Sequence, residues 1–344
     1  MSEDVISRVT RWVESSLGEW LPGTVLSHAN RVVLAGRREG RATLVLFPRR
    51  GRWPAIVVKI AQKGSISTTA HEYRRLTQAQ ATLAPPTVDR IPYPLGLYED
   101  DTVTAMAATA VRGYIATLPH LFGPKPNQRT CRQLSDYISA SRRHANELAH
   151  ATRYTPDVAC MSQDALVEDI DHFLATTTLR GPSKTALSEF RCAVQHRHLS
   201  WQPVWQHGDA SPGNLLIYRG QVSMVDWEAA RPSRPPWHDD AQLAARLVRL
   251  AQMEGEGHSL GEACVQVLGL SGWPGPLVRQ GINAYWPHPL PFAWCFALTV
   301  ISLANSRGHQ ETVSPVWTPL VTALLCDDSV REACDWAVPH WDPL

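Results

Sequence analysis

VWQHGDASPGNLLIYRGQVSMVDWEAA, residues 204–230, sets two short β-type runs among a cluster of polar side chains. The runs NLLIY and QVSMVDW flank Arg219-Gly220, a hairpin pattern. A turn centred near Gly220 leaves Asn214 and Asp226 equally far from it. In an antiparallel pair such residues face each other, with Cα atoms roughly 4.5–5.5 Å apart. A carboxamide oxygen and a carboxylate then converge. Small, hard Mg2+ prefers such oxygens, with water and phosphate completing its shell. Asp209 comes shortly before Asn214, across the turn-forming loop ASPG. That loop can fold Asp209 back beside the same site, where its carboxylate accepts a proton from an incoming hydroxyl. Singly, Asp and Asn in a Gly/Pro loop are ordinary turn formers; their combination with the hairpin points to chemistry.

The whole composition is compatible with such an enzyme. A chain of 344 residues, 44% hydrophobic, can bury the core of two domains or of one large two-lobed unit. A formal net charge of +1 argues against a nucleic-acid protein held by a broad basic face. The seven cysteines are widely spaced and form no Cys-x-x-Cys, which points to a reducing compartment rather than a zinc site or a disulfide framework. The opening MSEDVISRVTRWVESSL is amphipathic and lacks the apolar core of a signal peptide. No apolar run is long enough to span a bilayer. The expectation is a soluble cytoplasmic protein that uses neither nucleic acid nor membrane as partner.

Along the chain, periodicity changes from strand to helix. Residues 4–17 place Val5, Val9, Trp12 and Val13 on one helical face. β-type runs follow at 31–36, 41–47 and 55–60, separated by the turn-prone RREG and PRRGRWP. A helix is expected over 68–83, then strands near 93–99 and 102–109. From about residue 130 the pattern is helical, interrupted only by the hairpin. This is an α+β arrangement: a β-rich N-terminal lobe over residues 1–110 and a mainly helical C-terminal lobe over 111–344.

The Asp-x-x-x-x-Asn spacing followed by a metal-binding Asp is that of a kinase catalytic loop. In its form here, HGDASPGN and then VDWE, it resembles the aminoglycoside phosphotransferase and choline kinase family, which has a two-lobed, protein-kinase-like fold. The resemblance implies Asp209 as catalytic base, with Asn214 and Asp226 holding Mg2+ and the phosphates of ATP. His207 is then a packing and hydrogen-bonding residue. The family also places a phosphate-binding lysine on a strand of the first lobe, and Lys59 in AIVVKI stands there, in a chain with lysine only at 59, 63, 125 and 184. Val57 shares its strand face and can pack on the adenine. A carboxylate on the next helix should orient the lysine; Glu72 is the candidate, although Thr69-Ala70-His71-Glu72 also fits a helix capping box. The adenine edge should meet main-chain atoms near Ala107 to Thr109, within AMAATAVRG. Gly36 and Gly40 flank a loop that lacks the protein-kinase glycine pattern.

Two departures separate this chain from protein kinases. Gly208 follows His207 where those enzymes have Arg, and only residues 227–238 lie between Asp226 and Asp239, too short for a peptide-binding activation segment. The resemblance implies an aspartate after this short stretch that braces the catalytic loop: Asp239, with Asp240 the alternative. The implied activity is ATP- and Mg2+-dependent transfer of the γ-phosphate to a hydroxyl of a small molecule. An antibiotic or other natural product is the first class of acceptor and a primary metabolite, amino alcohol or sugar, the second; a nucleotide-binding regulatory pseudokinase is the contrasting class. On the acceptor side, Trp273, Trp286, Trp294, Trp317, Trp336 and Trp341 can stack on a ligand or simply pack helices. Beyond residue 239 acidic residues outnumber basic ones, which suits a cationic acceptor such as an aminoglycoside and equally a solvated surface.

Overall fold

The computed structural model describes residues 1–35, 40–63, 69–116, 118, 127–152, 161–197, 199–255, 258–270, 272–283, 290–306 and 316–334. The N-terminal elements are α1 (Glu3–Trp20), β1 (Leu26–Ala35), β2 (Arg41–Pro48), β3 (Ile56–Gln62) and α2 (Thr69–Thr82). They continue with β4 (Pro94–Glu99), β5 (Val103–Thr109) and β6 (Tyr114–Ile115). Next come α3 (Gln128–Thr152), β7 (Met161–Ser162), α4 (Asp164–Thr176), α5 (Pro182–Gln195), β8 (Ser200–Trp201) and β9 (Val204–Gln206). The hairpin is β10 (Leu215–Tyr218) and β11 (Gln221–Met224), followed by β12 (Arg231–Arg234) and α6 (His238–Glu254). The chain closes with α7 (Leu260–Leu268), α8 (Gly275–Asn283), α9 (Phe292–Ser306), α10 (Thr318–Cys326) and α11 (Asp328–Cys334).

These elements form two compact units. The first comprises Met1–Ile115 and Asn214–Arg231; the second comprises Ala116–Gly213 and Pro232–Leu344. The division differs from the single switch at residue 110 that composition suggests. Its cause is the pairing of β6 with β10, Leu216 opposite Ile115 and Ile217 opposite Tyr114, which draws the hairpin into the first unit. Gly113, at φ 153°, makes that approach possible: a Cβ there would stand 2.8 Å from the Leu216 Cβ.

The first unit is built on a five-stranded antiparallel sheet, ordered β1-β2-β3-β5-β4. Strand alternation gives it two faces. One face, with Leu44, Leu46, Ile56, Val58, Ile60, Val103, Ala105 and Ala107, packs on Val5, Val9 and Val13 of α1. Burying each valine contributes about 1.5–3 kcal/mol. Trp12, the fourth residue of the expected apolar face, is partly buried against Tyr98 and Trp20, with ring centres 5.5 and 5.1 Å away. The tryptophans lie over Gly96, where a Cβ would come within 2.5 Å of the Trp20 ring. The other face carries Thr43, Val45, Val57, Lys59, Met106 and Ala108, by the register of β2, β3 and β5.

The hairpin turns on Arg219 and Gly220, both left-handed at φ 51° and 78°. Two such central residues make the two-residue turn whose twist matches the strands it joins. The rungs run from Tyr218–Gln221 to Leu215–Met224, so the turn is centred between residues 219 and 220. The expected opposition of Asn214 and Asp226 is therefore corrected by one residue. Asn214 faces Val225, whose N–H donates to the Asn214 carbonyl at 2.9 Å. Asp226 lies one step beyond the ladder.

The second unit is mainly helical, with small strand pairs β7–β8 and β9–β12. Helix α6 is buried along most of its length, at Ala241, Leu243, Ala244, Ala245, Leu247, Val248 and Ala251 among others. Among the described residues, no helix is long and apolar enough to cross a membrane.

Candidate active site

In the first unit the chemistry gathers on Lys59. Its Nζ lies 2.8 and 2.6 Å from the two Glu72 carboxylate oxygens and 2.6 Å from Asp226 Oδ1. Glu72 is 3% exposed in its side chain and accepts a second kind of bond, from the Trp227 N–H at 3.0 Å to Oε1. Both Glu72 oxygens thus face Lys59 rather than the start of α2. Burial by itself would lower the Lys59 pKa, but the carboxylates of Glu72 and Asp226 override it and hold the ammonium above its ordinary range. Burial pushes the Glu72 carboxyl up, with the Lys59 charge pulling it back.

Asp226 adopts φ 70° and ψ 63°, and it and Arg219 are the non-glycine residues at positive φ among those described. Arg219 is explained by its turn; Asp226 is not in one of the hairpin's central positions. A left-handed backbone costs an ordinary L-residue on the order of 1–2 kcal/mol, and aspartate less. It is held by the Asn214–Val225 rung before it and, after it, by Trp227, whose N–H bonds Glu72 and whose buried indole donates to the Met224 carbonyl at 2.9 Å. Strain kept in this way is characteristic of functional positions. Asn214 and Asp226 supply a carboxamide and a partly exposed carboxylate, a donor set of hard oxygens that suits Mg2+. Among the described residues no group of three or more His, Cys, Asp or Glu side chains could hold a metal, so phosphate and water oxygens would have to complete its shell.

Val57 lies on the Lys59 face, in a cross-strand row with Val32, Val45 and Ala108. The next row holds Leu34, Thr43, Lys59, Met106 and Leu97. Val45 and Met106 carry no signal of their own in the sequence; the strand register identifies them once Lys59 is placed. The main chain near the expected adenine positions is bonded as follows. Ala107 turns its side chain into the core and has a strand on either side, opposite Val58 and Gly96. The Thr109 N–H donates to the Tyr93 carbonyl at 2.8 Å and the Ala110 N–H to Ala55 at 2.9 Å. Val111 and Arg112 carry the first N–H groups past the ladder without a backbone partner among the described residues. Residues 36–39 of the glycine-flanked loop lie outside the described residues, as do Trp286, Trp336 and Trp341.

In the second unit the segment His207–Ala210 is fixed through its backbone. The Asp239 carboxylate accepts from the His207 N–H at 2.6 Å and the Gly208 N–H at 2.8 Å. Gln242 accepts from the Ala210 N–H at 3.1 Å and donates to the Gly208 carbonyl. Tyr137 of α3 donates to the Ala210 carbonyl at 2.5 Å. His207 is fully buried, and its Nδ1 accepts from the Asp209 N–H at 3.3 Å. Burial raises the Asp239 carboxyl pKa, opposed by His207 and by the two N–H donors. Asp240 points elsewhere: it pairs with Arg142 at 3.1 Å, both buried, and Arg142 also donates to the Gly281 and Ile282 carbonyls. Asp239 rather than Asp240 therefore braces the loop.

Arg246, also missed in the sequence, ion-pairs with Asp209, Nη2 to Oδ1 at 2.9 Å. Asp239, Gln242 and Arg246 recur at i, i+3 and i+7, one face of α6, and that spacing was a readable signal. Of the remaining tryptophans, Trp317 is buried, whereas Trp294 is partly exposed, near Phe190 and under Arg197.

The model of the phosphotransferase enzyme family APH matches residues 11–264, a span holding Lys59, Glu72, Asp209, Asn214, Asp226, Asp239 and Arg246. The chain belongs to that family. No curated protein matches it in sequence. Among solved structures, a putative aminoglycoside phosphotransferase from Ralstonia eutropha is similar, at 15% identity and a TM-score of 0.53, over 94% of this chain and 98% of that one. A macrolide 2'-phosphotransferase from Brachybacterium faecium gives 14% identity and 0.47, over 92% and 98%. A choline/ethanolamine kinase family protein from Mesorhizobium loti gives 14% and 0.46, over 94% and 97%. At these identities the first likeness speaks to fold alone. As a member of the APH family the chain is a phosphotransferase with a kinase-like α+β fold.

Proposed function

We propose that this phosphotransferase moves the γ-phosphate of ATP to a hydroxyl of a small molecule, an antibiotic or other natural product being the first class to test. The observation that carries the reading is the ion cluster of Lys59, Glu72 and left-handed Asp226. A structural lysine needs one partner; this one is held between a buried carboxylate and a partly exposed one. Lys59, fixed by Glu72, binds and neutralises phosphate oxygens. Val45 and Val57 offer an apolar face to the adenine, and main-chain groups from Val111 onward its hydrogen-bonding edge. Asn214 and Asp226 would hold Mg2+, which when bound supplies positive charge to the phosphates.

Asp209 serves as base. The acceptor oxygen forms a bond to the γ-phosphorus as the bond to the ADP oxygen breaks, and the hydroxyl proton passes to the Asp209 carboxylate. Fixing the loop through Asp239, Gln242 and Tyr137 keeps that carboxylate from having to search for its position. The short span between Asp226 and Asp239 favours a small molecule over a peptide. The test is ADP release and product mass with ATP, Mg2+ and a panel of antibiotics and metabolites. Asp209→Ala should lower kcat by about 10²–10⁴-fold and leave the affinity for Mg·ATP within about twofold. ATP binding with no phosphorylated product from any acceptor would favour a regulatory role instead.

A further inference from the structure

Within the second unit, the charge beside the proposed base is already balanced by the protein. Arg246 stands 2.9 Å from Asp209 Oδ1, with side-chain exposures of 16% and 27%. Its guanidinium carbon lies 6.0 Å from the ring centre of Trp317, which is 1% exposed. Two donors in this group, Arg246 Nε and Trp317 Nε1, are buried and have no hydrogen-bond partner. Buried donors without an acceptor are uncommon and call for an explanation. Two other acidic residues of α6 have their own partners: Asp239 accepts from the His207 and Gly208 N–H groups, and Asp240 pairs with Arg142.

We infer that Arg246 and Trp317 form part of the acceptor subsite and make it select neutral or anionic, oxygen-rich molecules against polycations; this rests on the phosphotransfer reading above. A polycationic acceptor gains from an unpaired carboxylate at the base and is repelled by a guanidinium beside it. Here the guanidinium is in place, and the unsatisfied donors require oxygen acceptors such as hydroxyl, carbonyl or carboxylate groups. The excess of acidic residues after position 239 does not reverse this: Asp327 and Asp328, for example, bond at the start of α11, to Ser329 and Arg331.

The experiment compares three acceptor panels on the full chain: aminoglycosides as polycations, nucleosides and neutral glycosides, and hydroxy acids. The best neutral or anionic acceptor should exceed the best polycation by at least about tenfold in kcat/KM. Arg246→Gln should narrow that ratio about fivefold or more, chiefly through acceptor KM, with the KM for Mg·ATP unchanged. Arg246→Lys should keep polycations excluded, and Trp317→Phe, which removes only the indole donor, should raise acceptor KM. A polycation as the best substrate, or a class ratio unmoved in Arg246→Gln, overturns the inference. The phosphotransfer reading fails on a separate readout, ADP release that is unaffected by Asp209→Ala.

Discussion

Lys59 and Asp226 are joined at 2.6 Å across 167 positions of sequence, and the same ammonium holds Glu72. One cation thus balances a buried carboxylate from α2 and a strained one from the end of the hairpin. Removing it should be costly for folding as well as for activity. Lys59→Met leaves the Glu72 carboxylate buried with only the Trp227 N–H as partner, and should destabilise the protein by about 3–5 kcal/mol. The double variant Lys59→Met/Glu72→Leu should recover most of that loss, because the buried carboxylate is gone and the one that remains, Asp226, is 37% exposed to water. Urea unfolding of the two variants checks this; equal stabilities would show that Glu72 is not charged when buried.

Asp239 and Asp240 are neighbours in sequence with different work. Asp239→Asn replaces one acceptor oxygen by an NH2 group facing a loop N–H, so the loop carrying Asp209 should shift. A displacement of about 1 Å would cost on the order of 10²-fold in kcat. Asp240→Asn weakens the buried pair with Arg142 instead, lowering stability by up to about 3–5 kcal/mol with kcat nearly intact below the melting range. Measuring kcat and unfolding free energy for both variants separates the roles. A kcat loss confined to Asp240→Asn would reverse the assignment.

Acid should loosen one particular staple. Asp100 accepts from the Thr102 N–H and hydroxyl, the Val103 N–H and the Tyr98 hydroxyl, and it pairs with Arg8 of α1. Bonds from Thr102 above all hold its carboxyl well below the ordinary aspartate range. A depressed pKa contributes stability that is complete above the unfolded value, about 4, and is lost as pH falls through the folded one. Asp100→Asn should therefore lower Tm at pH 7, and the gap to the wild-type chain should close progressively below pH 4. A gap that widens in acid would contradict the sign.

What could be read from sequence followed the range of the interaction that decides it. Val5, Val9 and Val13 are set by helix period, and the β2 and β3 runs by alternation, so both were legible. Lys59 stands out because lysine is rare in this chain and this one interrupts an apolar strand. The choice between Asp239 and Asp240 was not legible with certainty, since it depends on which side of α6 meets the loop and which meets Arg142. Arg246 is illegible on its own because a helical arginine is ordinarily solvated; only the Asp239-Gln242-Arg246 spacing flags it. The offset of Asp226 from Asn214 by one residue is illegible for a local reason. Nothing in residues 214–226 distinguishes a turn centred on Gly220 from one centred before it, because arginine, unlike asparagine, does not mark a left-handed position.

That last distinction can be tested directly. Both central residues of the turn need φ above zero, and Asn-Gly meets this demand better than Arg-Gly. Arg219 sits at φ 51° and so carries a conformational cost that asparagine largely avoids. Arg219→Asn should stabilise the chain by about 0.5–1 kcal/mol. Gly220 stands at φ 78°, and a Cβ there would meet nothing within 4 Å, so the loss in Gly220→Ala is conformational, about 1 kcal/mol. If the turn were centred on Gly220, residues 219–221 would form a three-residue loop that opens with residue 219 right-handed, and Arg219→Asn would bring no gain. Opposite signs for the two substitutions in thermal unfolding support the observed register, which puts Asp226 one residue past the last rung, where its left-handed backbone brings its carboxylate to Lys59. No gain from Arg219→Asn would return Asp226 to a place opposite Asn214.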